Sequence, residues 1–425
     1  AIDGGRRAPD VLDTIRVDIE DDTISIADNG RGIPVEIHSE TGKYIAETVF
    51  TNMRAGSNFD DDADQSLIGT NGIGSVLVCI LSTSFKIESC DGKKRFRQEF
   101  TNGMRERGEP KIDLHAKNHT KITFTPDYEF FKLPGLDEDH KQRMIKRVVD
   151  AAATNPNIKF YINGNRIMTR TFDEYISMYA DEYVFDDTQD WKVGISASDG
   201  FEQISFVNSV ETYQGGTHVT YAINQIVDSV RAFIKKKHKV DVLPGDIRGH
   251  MRIYIAANIN RPRFSSQTKE NMISPAGEWK TSWTVPDKFI QKLVKTNIIQ
   301  SILDWAAAKQ NAADMAEIRK LGKGIDKADP RKVPKFSDAM ERTDRHKCVV
   351  FLAEGDSAAK SVQGGRGNNP YIGSFPLKGK PLSVRDKDVK QVMENKEIQN
   401  ILTIIGLKPG VKVTSSPAPD GEWVE

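Results

Sequence analysis

Three glycines in six residues, Gly69-Thr70-Asn71-Gly72-Ile73-Gly74, constrain this chain more than any other stretch. They lie between a polar, acidic run (Asn58 to Ser66) and an apolar one (Val76 to Leu81), the pattern of a loop leading into a buried helix. Glycine permits positive φ and lets backbone N–H groups approach an anion with no Cβ in the way. A helix starting there adds unsatisfied N–H groups and a partial positive charge. Alone, the loop is open to two readings, a phosphate cradle or a plain strand-to-helix turn. No Walker-type G-x-x-x-x-G-K-[ST] occurs in the sequence, so a P-loop does not compete.

A second motif lies upstream, where the alternating stretch Thr23-Ile24-Ser25-Ile26-Ala27 runs into Asp28-Asn29-Gly30-Arg31-Gly32-Ile33-Pro34. A carboxylate at a strand end can accept a hydrogen bond from an exocyclic amine while two glycines make room for a flat ring. By itself, Asp-X-Gly-X-Gly reads equally as a calcium-like or ordinary turn. The chain has 425 residues, 38% of them hydrophobic, enough for two or three domains with their own cores. Lys+Arg and Asp+Glu are both 60, so net charge selects neither nucleic acid nor membrane, and any DNA contact must come from local patches. No apolar run approaches the roughly 20 residues of a bilayer span, and no signal peptide is expected. Cys79, Cys90 and Cys348 form no C-x-x-C and read as reduced structural cysteines of an intracellular protein, not as a zinc site.

Taken in order, strands at Thr14–Glu20 and Thr23–Asp28 meet in a hairpin turn at Asp21-Asp22. Ile45 to Met53 suits a helix, and the polar run Arg54 to Ser66 reads as a lid or an ordinary acidic loop. Strands are expected at Phe85–Ser89, Arg95–Thr101, Lys121–Thr125 and Ile158–Ile162, with a helix from Asp137 to Ala153. This is an α/β sandwich, a mixed sheet covered by helices on one face. A second block brings strands Lys192–Ala197, Gln203–Asn208 and Arg252–Asn258. Its helices span Val219 to Lys237 and about Pro286 to Leu321. After a basic, glycine- and proline-interrupted linker, Cys348-Val349-Val350-Phe351-Leu352-Ala353 has the continuous apolar run of a central strand buried on both faces. It ends in Glu354-Gly355-Asp356-Ser357-Ala358, two acids where α/β folds place their sites.

With these segments in hand, the chain resembles the ATPase-bearing, gyrase-B-like subunit of type IIA DNA topoisomerases from residue 1 to about 414. The resemblance rests on the Asp28 motif, the Gly69–Gly74 loop, Thr120 with its strand, Gly215-Gly216-Thr217-His218, Gln267-Thr268-Lys269, Glu354 to Ala358, and Pro376-Leu377-Lys378-Gly379-Lys380. The wording around Gln267 and at Ser57-Asn58-Phe59-Asp60-Asp61 is similar to eukaryotic and tailed-phage enzymes more than to bacterial gyrase. The resemblance implies a GHKL ATPase domain (1–185), a ribosomal-S5-like transducer domain (186–325), a basic linker (326–346) and a partial TOPRIM domain (347–425). It implies that ATP binds with Asp28 on the adenine amine, Ile33 on the ring, Asn58 at the ribose and Thr120 supporting Asp28. Gly69, Asn71, Gly72, Ile73 and Gly74 would bind the phosphates, and Gln267 and Lys269 would reach in from the second domain, Lys269 to the γ-phosphate. Glu354 and Asp356 would bind Mg²⁺, Glu354 would assist strand cleavage, and Lys378 and Lys380, with the basic stretch Arg331 to Lys347, would meet DNA phosphates.

The partners implied are duplex DNA, a second copy of the chain, and a tyrosine-bearing cleavage subunit or domain, working in the cytoplasm (a bacterial host's, if viral), with no membrane role. Ala1-Ile2-Asp3 resembles the A-x-D of the family's E-x-x-x-N-A-x-D motif, so this chain is expected to begin one residue after the magnesium-binding asparagine. As written it would bind ATP but hydrolyse it poorly, and it could not cut DNA alone because no Asp-x-Asp follows. The alternatives are a chaperone or MutL-like clamp with the same nucleotide fold, disfavoured by Glu354–Ala358 and the Gln-Thr-Lys loop, and a histidine kinase, for which no histidine sits on an acceptor segment.

Overall fold

A computed structural model describes residues 1–8, 10–53, 55, 72–322, 329–383 and 389–407. The chain divides into two compact units, Ala1–Ile302 and Leu303–Glu425. The first opens with a short helix that no periodicity announced, α1 (Ile2–Arg7). Among the described residues nine strands follow: β1 (Thr14–Glu20), β2 (Thr23–Asp28), β3 (Ser82–Cys90), β4 (Lys94–Thr101), β5 (Glu106–Arg107), β6 (Lys111–Leu114), β7 (His119–Pro126), β8 (Lys159–Ile162) and β9 (Asn165–Arg166). They form one sheet in the order β5-β4-β3-β7-β2-β1-β8-β9, with β6 also on β4. Its pairs are antiparallel except β1–β8, so the sheet is mixed, as expected. The hairpin turn is where the alternation put it: Glu20 pairs with Thr23, and Asp21 takes the left-handed φ of 47° that so tight a connection requires.

Among the described residues, three helices cover one face: α2 (Ile45–Thr51), α3 (Gly74–Ile80) and α4 (Glu138–Thr154). Ala46 and Cys79 pack on Phe85, Ile87, Phe96 and Phe100, while Val148, Ala151 and Ala152 pack on Ile15, Val17, Ile19 and Phe160. Phe124 of β7 touches both clusters, so all three helices lie on the same side. Residues between those apolar positions, such as Arg16, Lys86, Arg97 and Lys121, are exposed on the other face. The period-2 pattern fixes which face is which.

The same unit holds a second sheet. It comprises β10 (Tyr183–Asp187), β11 (Trp191–Ala197), β12 (Glu202–Val207), β13 (Val210–Glu211) and, after β14 (Gly215–Gly216), β15 (Met251–Ala257), in the order β10-β11-β15-β12-β13. The helix α5 (Phe172–Ile176) packs on it with Phe172, Tyr175 and Ile176, together with Val149 and Ala153 from α4. One helix therefore contributes to two cores. The long α6 (Thr217–His238) buries Ala222, Ile223, Ile226, Val227, Val230 and Ile234 along one stripe and packs on β15. Beyond α7 (Pro244–Arg248), β14 pairs in parallel with β16 (Asn271–Met272), which explains the Gly-Gly-Thr-His motif. At Gly216, φ is 142° and a Cβ would stand 2.4 Å from the Met272 carbonyl oxygen. Thr217 Oγ1 donates to the Ser274 carbonyl at 2.6 Å, and His218 is fully buried with Nε2 3.1 Å from Thr212 Oγ1.

The helix expected from Pro286 to Leu321 is two, α8 (Asp287–Leu293) and α9 (Asn297–Gly322). Both the amide and the hydroxyl of Thr296 bond the Leu293 carbonyl, at 3.1 and 2.7 Å, and that side-chain competition closes α8.

The second unit is small. Strand β17 (Val349–Glu354) crosses over through α10 (Gly355–Gly365) to the parallel β18 (Ile372–Leu377), and α11 (Val389–Glu394) and α12 (Lys396–Ile405) follow. Its core is Val333, Phe375 and Ile404, with Phe336, Val350, Leu377 and Ile401 around them. The expectation of a central strand buried on both faces is corrected here. Among the described residues β17 pairs only with β18, whose other edge is taken by Ser337. Phe351 and Leu352 remain 46% and 48% exposed because, among the described residues, no second layer covers them. From residue 329 the stretch expected as a basic linker packs into this unit, with Val333 and Ala339 buried. Among the described residues no helix is long and apolar enough to cross a membrane.

Burial pushes the His218 imidazole down to about 3 from its ordinary 6.5. The native state therefore refuses a proton that the unfolded chain takes up below about pH 6.5. Stability falls as pH drops from 6.5 toward 3, with this histidine contributing about 1.4 kcal/mol per pH unit. His218→Asn should flatten the slope of urea-unfolding stability between pH 6.5 and 4.5 by that amount; an unchanged slope contradicts the assignment.

Candidate functional site

The end of β2 lies beside the ends of β7 and β3, and their register places three polar residues in a row. Asp28 is opposite Thr120, and Thr120 is opposite Ser89. Ser89 Oγ stands 3.5 Å from Thr120 Oγ1 and accepts the Ile33 amide at 2.7 Å. One Asp28 carboxylate oxygen accepts the Gly30 amide at 2.9 Å, an Asx turn that aims the side chain. The other oxygen has no partner among the described residues. Gly32 follows at φ 73°, where a Cβ would stand 1.9 Å from the Cys90 carbonyl oxygen, so no other residue fits. Asn29 fastens the motif to β1: its Oδ1 accepts the Asp13 and Thr14 amides at 3.2 and 3.0 Å.

A cavity of about 330 Å³ opens at this row. Asp28, Gly30, Gly32 and Thr120 line one side, and Ala1, Gly4 and Ala8, in and around α1, line another, with Leu12 between them. The pocket is thus floored by strand ends and walled by a helix that presents small residues. It offers a carboxylate acceptor beside glycines that leave the space next to it open.

The Lys269 loop approaches the same helix from the second sheet. Lys269 is half-buried at φ 61°, its amide donating to the Ser266 carbonyl at 3.1 Å. Burial lowers its ammonium pKa from the ordinary lysine value, and the Asp3 carboxylate of α1 opposes that shift. Gln267 is exposed.

The structure brings Asp28, Thr120 and the glycines around them together, and sets Ile33 beside them on the Phe85–Phe100 core. Gly72, Ile73 and Gly74 are not among the residues lining the cavity; Gly72 has φ 58° and Gly74 opens α3. Asn58, Gly69 and Asn71, with most of the expected lid, lie outside the described residues. Sequence reasoning missed Ser89 and α1. The one signal for Ser89 was a serine at an inward position between Ile87 and the end of an apolar strand.

In the second unit, Glu354 ends β17 and Asp356 lies in the first turn of α10, both exposed. Lys335 Nζ holds both Asp356 oxygens, at 2.9 and 2.6 Å. Among the described residues no group of three or more His, Cys, Asp or Glu could hold a metal ion. Several cations expected to meet DNA are already paired within the unit: Arg331 with Asp329, Arg342 and Arg345 with Asp338, Lys347 with Asp344. Lys378 and Lys380 are exposed, and the Lys378 amide donates to Glu397.

The solved ATPase region of Saccharomyces cerevisiae topoisomerase II is 34% identical, with a TM-score of 0.69 over 72% of this chain and 83% of that one. The chain belongs to the type II DNA topoisomerase family. A second member, the ATPase and transducer domains of DNA topoisomerase II from Balamuthia mandrillaris, matches with a TM-score of 0.70 at 33% identity, over 73% of this chain and 83% of that one. DNA topoisomerase 2 of Arabidopsis thaliana is 36% identical over 432 residues, 94% of this chain, and that of Drosophila melanogaster 36% over 422 residues, 93% of it. The chain spans 28% and 29% of the length of those two relatives. The family described as DNA gyrase B matches residues 157–320. The expected topoisomerase ATPase region followed by a transducer-type domain is borne out by these neighbours, and so is the eukaryotic side of the expected likeness.

Gly32→Ala should destabilise the first unit by at least about 1–2 kcal/mol from the left-handed backbone alone, and by more through the Cys90 contact. Gly245→Ala, at a position with open space and ordinary φ, is the control and should stay within about 1 kcal/mol. Thermal unfolding of both variants checks this; equal melting temperatures would contradict the tight approach.

Proposed function

We propose that this chain is the ATP-binding part of a type IIA DNA topoisomerase, in which nucleotide state sets the relation between the first sheet and the second. The observation that carries this is the Asp28–Thr120 pair at the base of a cavity walled by α1, with a cationic loop from the second sheet facing that same helix. The second oxygen of Asp28 would accept the adenine exocyclic amine, and Ile33 would pack on the ring. Gly69, Asn71, Gly72, Ile73 and Gly74 would offer amides to the phosphates, Asn58 would reach the ribose, and Gln267 and Lys269 would meet the terminal phosphate. Bound ATP supplies a terminal phosphate charge that its hydrolysis removes. A lysine that senses that charge from a second domain binds the two states unequally, which is the requirement for a conformational response.

The domains proposed are an ATPase domain at 1–185, a transducer at 186–325 and part of a TOPRIM domain from 347, with the basic segment 326–346 contributing Val333 and Phe336 to the core of that last unit. Two copies would close on ATP around duplex DNA. A tyrosine-bearing subunit or domain would make the break, in the cytoplasm. Glu354 and Asp356 alone do not fit a magnesium site, since one of the two holds Lys335 and no third acid joins them among the described residues. The alternative, a clamp without DNA cleavage, shares the nucleotide pocket but leaves the Glu354–Ala358 segment without a role.

Asp28→Ala removes a charge-assisted hydrogen bond worth about 1.5–3 kcal/mol, so ATP affinity should fall about 10- to 100-fold. Preference over GTP, whose O6 would face the carboxylate acceptor to acceptor, should fall with it. Calorimetric titration of ATP and GTP into both proteins measures this; unchanged discrimination would remove Asp28 from the base site.

A further inference from the structure

The turn between β12 and β13 is a two-residue hairpin loop, Asn208-Ser209, with φ of 51° and 65° and Val207 paired to Val210. That is the type I′ geometry, usually found at the surface. Here the turn is buried, Asn208 1% and Ser209 3% exposed. Its two side chains serve different elements. Asn208 locks the chain leaving β15: its Nδ2 donates to the Ile259 carbonyl at 2.9 Å and its Oδ1 accepts the Ile259 amide at 2.8 Å. Ser209 faces α1 and α4. Its Oγ accepts from Arg6 Nη2 at 2.8 Å and Asn155 Nδ2 at 2.9 Å, and its carbonyl accepts from Arg147 Nη2 at 2.7 Å.

Arg6 does more than hold the turn. Its Nε reaches Asn155 Oδ1 at 3.3 Å, and Nη2 also lies 3.4 Å from Asn258 Oδ1. Asn258 is the first residue beyond β15, and the segment that starts there leads to Lys269. One planar guanidinium on α1, the helix walling the cavity, thus touches the end of α4, the β12–β13 turn and the base of the Lys269 loop. A fork with fixed donor directions sets orientation as well as proximity, which a flexible ammonium does not. The Asp3 carboxylate, one turn earlier on α1, acts electrostatically on both Arg6 and Lys269.

We propose that Arg6 is a positioning residue: by bonding Ser209 and Asn258 it holds the base of the Lys269 loop against the pocket wall, so that Lys269 meets the terminal phosphate. This rests on the nucleotide reading above. The full chain is titrated with ADP and with adenylyl imidodiphosphate, a non-hydrolysable triphosphate. The unaltered chain binds the triphosphate more tightly, and Lys269→Ala loses that preference by tenfold or more. Arg6→Gln loses it by the same factor while its ADP affinity stays within twofold, and the double variant loses no more than either single one. Arg6→Lys, which keeps the charge but not the fork, behaves as Arg6→Gln. Ser209→Ala breaks the same link from the other side and supplies the test if Arg6→Gln does not fold. Full triphosphate preference in Arg6→Gln or Ser209→Ala, or losses that multiply in the double variant, would overturn the role of Arg6 and leave the nucleotide site standing. Full preference in Lys269→Ala would overturn the roles of Lys269 and Arg6 together, and failure of the unaltered chain to bind either nucleotide would overturn the site itself.

Discussion

One helix packed into two cores is the constraint on which the rest depends. Val148, Ala151 and Ala152 of α4 face the first sheet, while Val149 and Ala153 face the second. Alanines there let both sheets approach the helix closely, and neither face can shift without opening a cavity in the other. The polar groups at the same junction are held as firmly. Asp150 is buried with Tyr175 donating to it at 2.8 Å and Lys146 at 2.9 Å, and Lys146 continues to Glu211 on the second sheet at 2.9 Å. Burial raises the Asp150 carboxyl pKa, with the lysine and tyrosine acting against the shift. A network of this kind is strong only when its members are satisfied together, so it favours one arrangement of the two sheets.

That rigidity bears directly on the proposed nucleotide pocket. The floor of the cavity comes from β2 and β7, its wall from α1, and the loop carrying Lys269 from a separate sheet. On the proposed reading, a nucleotide's terminal charge would be sensed by an element whose base is fastened to the β12–β13 turn. A change there would be transmitted as a change in domain relation, because packed cores move between discrete arrangements and do not deform smoothly.

Much of this was legible in the sequence. Alternation in Thr14–Asp28 predicts the hairpin, and with it the placement of Asp28 at a strand end. The pairing of Asp28 with Thr120, which the family resemblance implies and alternation alone does not, is seen in the register. Other features were not legible, for identifiable reasons. Helix α1 is too short and too glycine-rich for a periodic signal, and tertiary contacts of Arg6 hold it in place. Ser89 gains its place only once β3 and β7 are paired. The Val349–Ala353 run looks like a doubly covered strand because hydrophobicity states what a strand tolerates, not what lies beside it. The basic character of Arg331–Lys347 likewise overstated its reach, since carboxylates within the unit neutralise most of it.

The most direct measurement is a crystal structure of this chain with a non-hydrolysable ATP analogue bound. The account predicts the Asp28 carboxylate within hydrogen-bond distance of the adenine amine, and Lys269 Nζ on the terminal phosphate with Arg6 still bonded to Ser209. A purine bound away from Asp28, or a Lys269 side chain turned from the phosphate in the bound state, would contradict it.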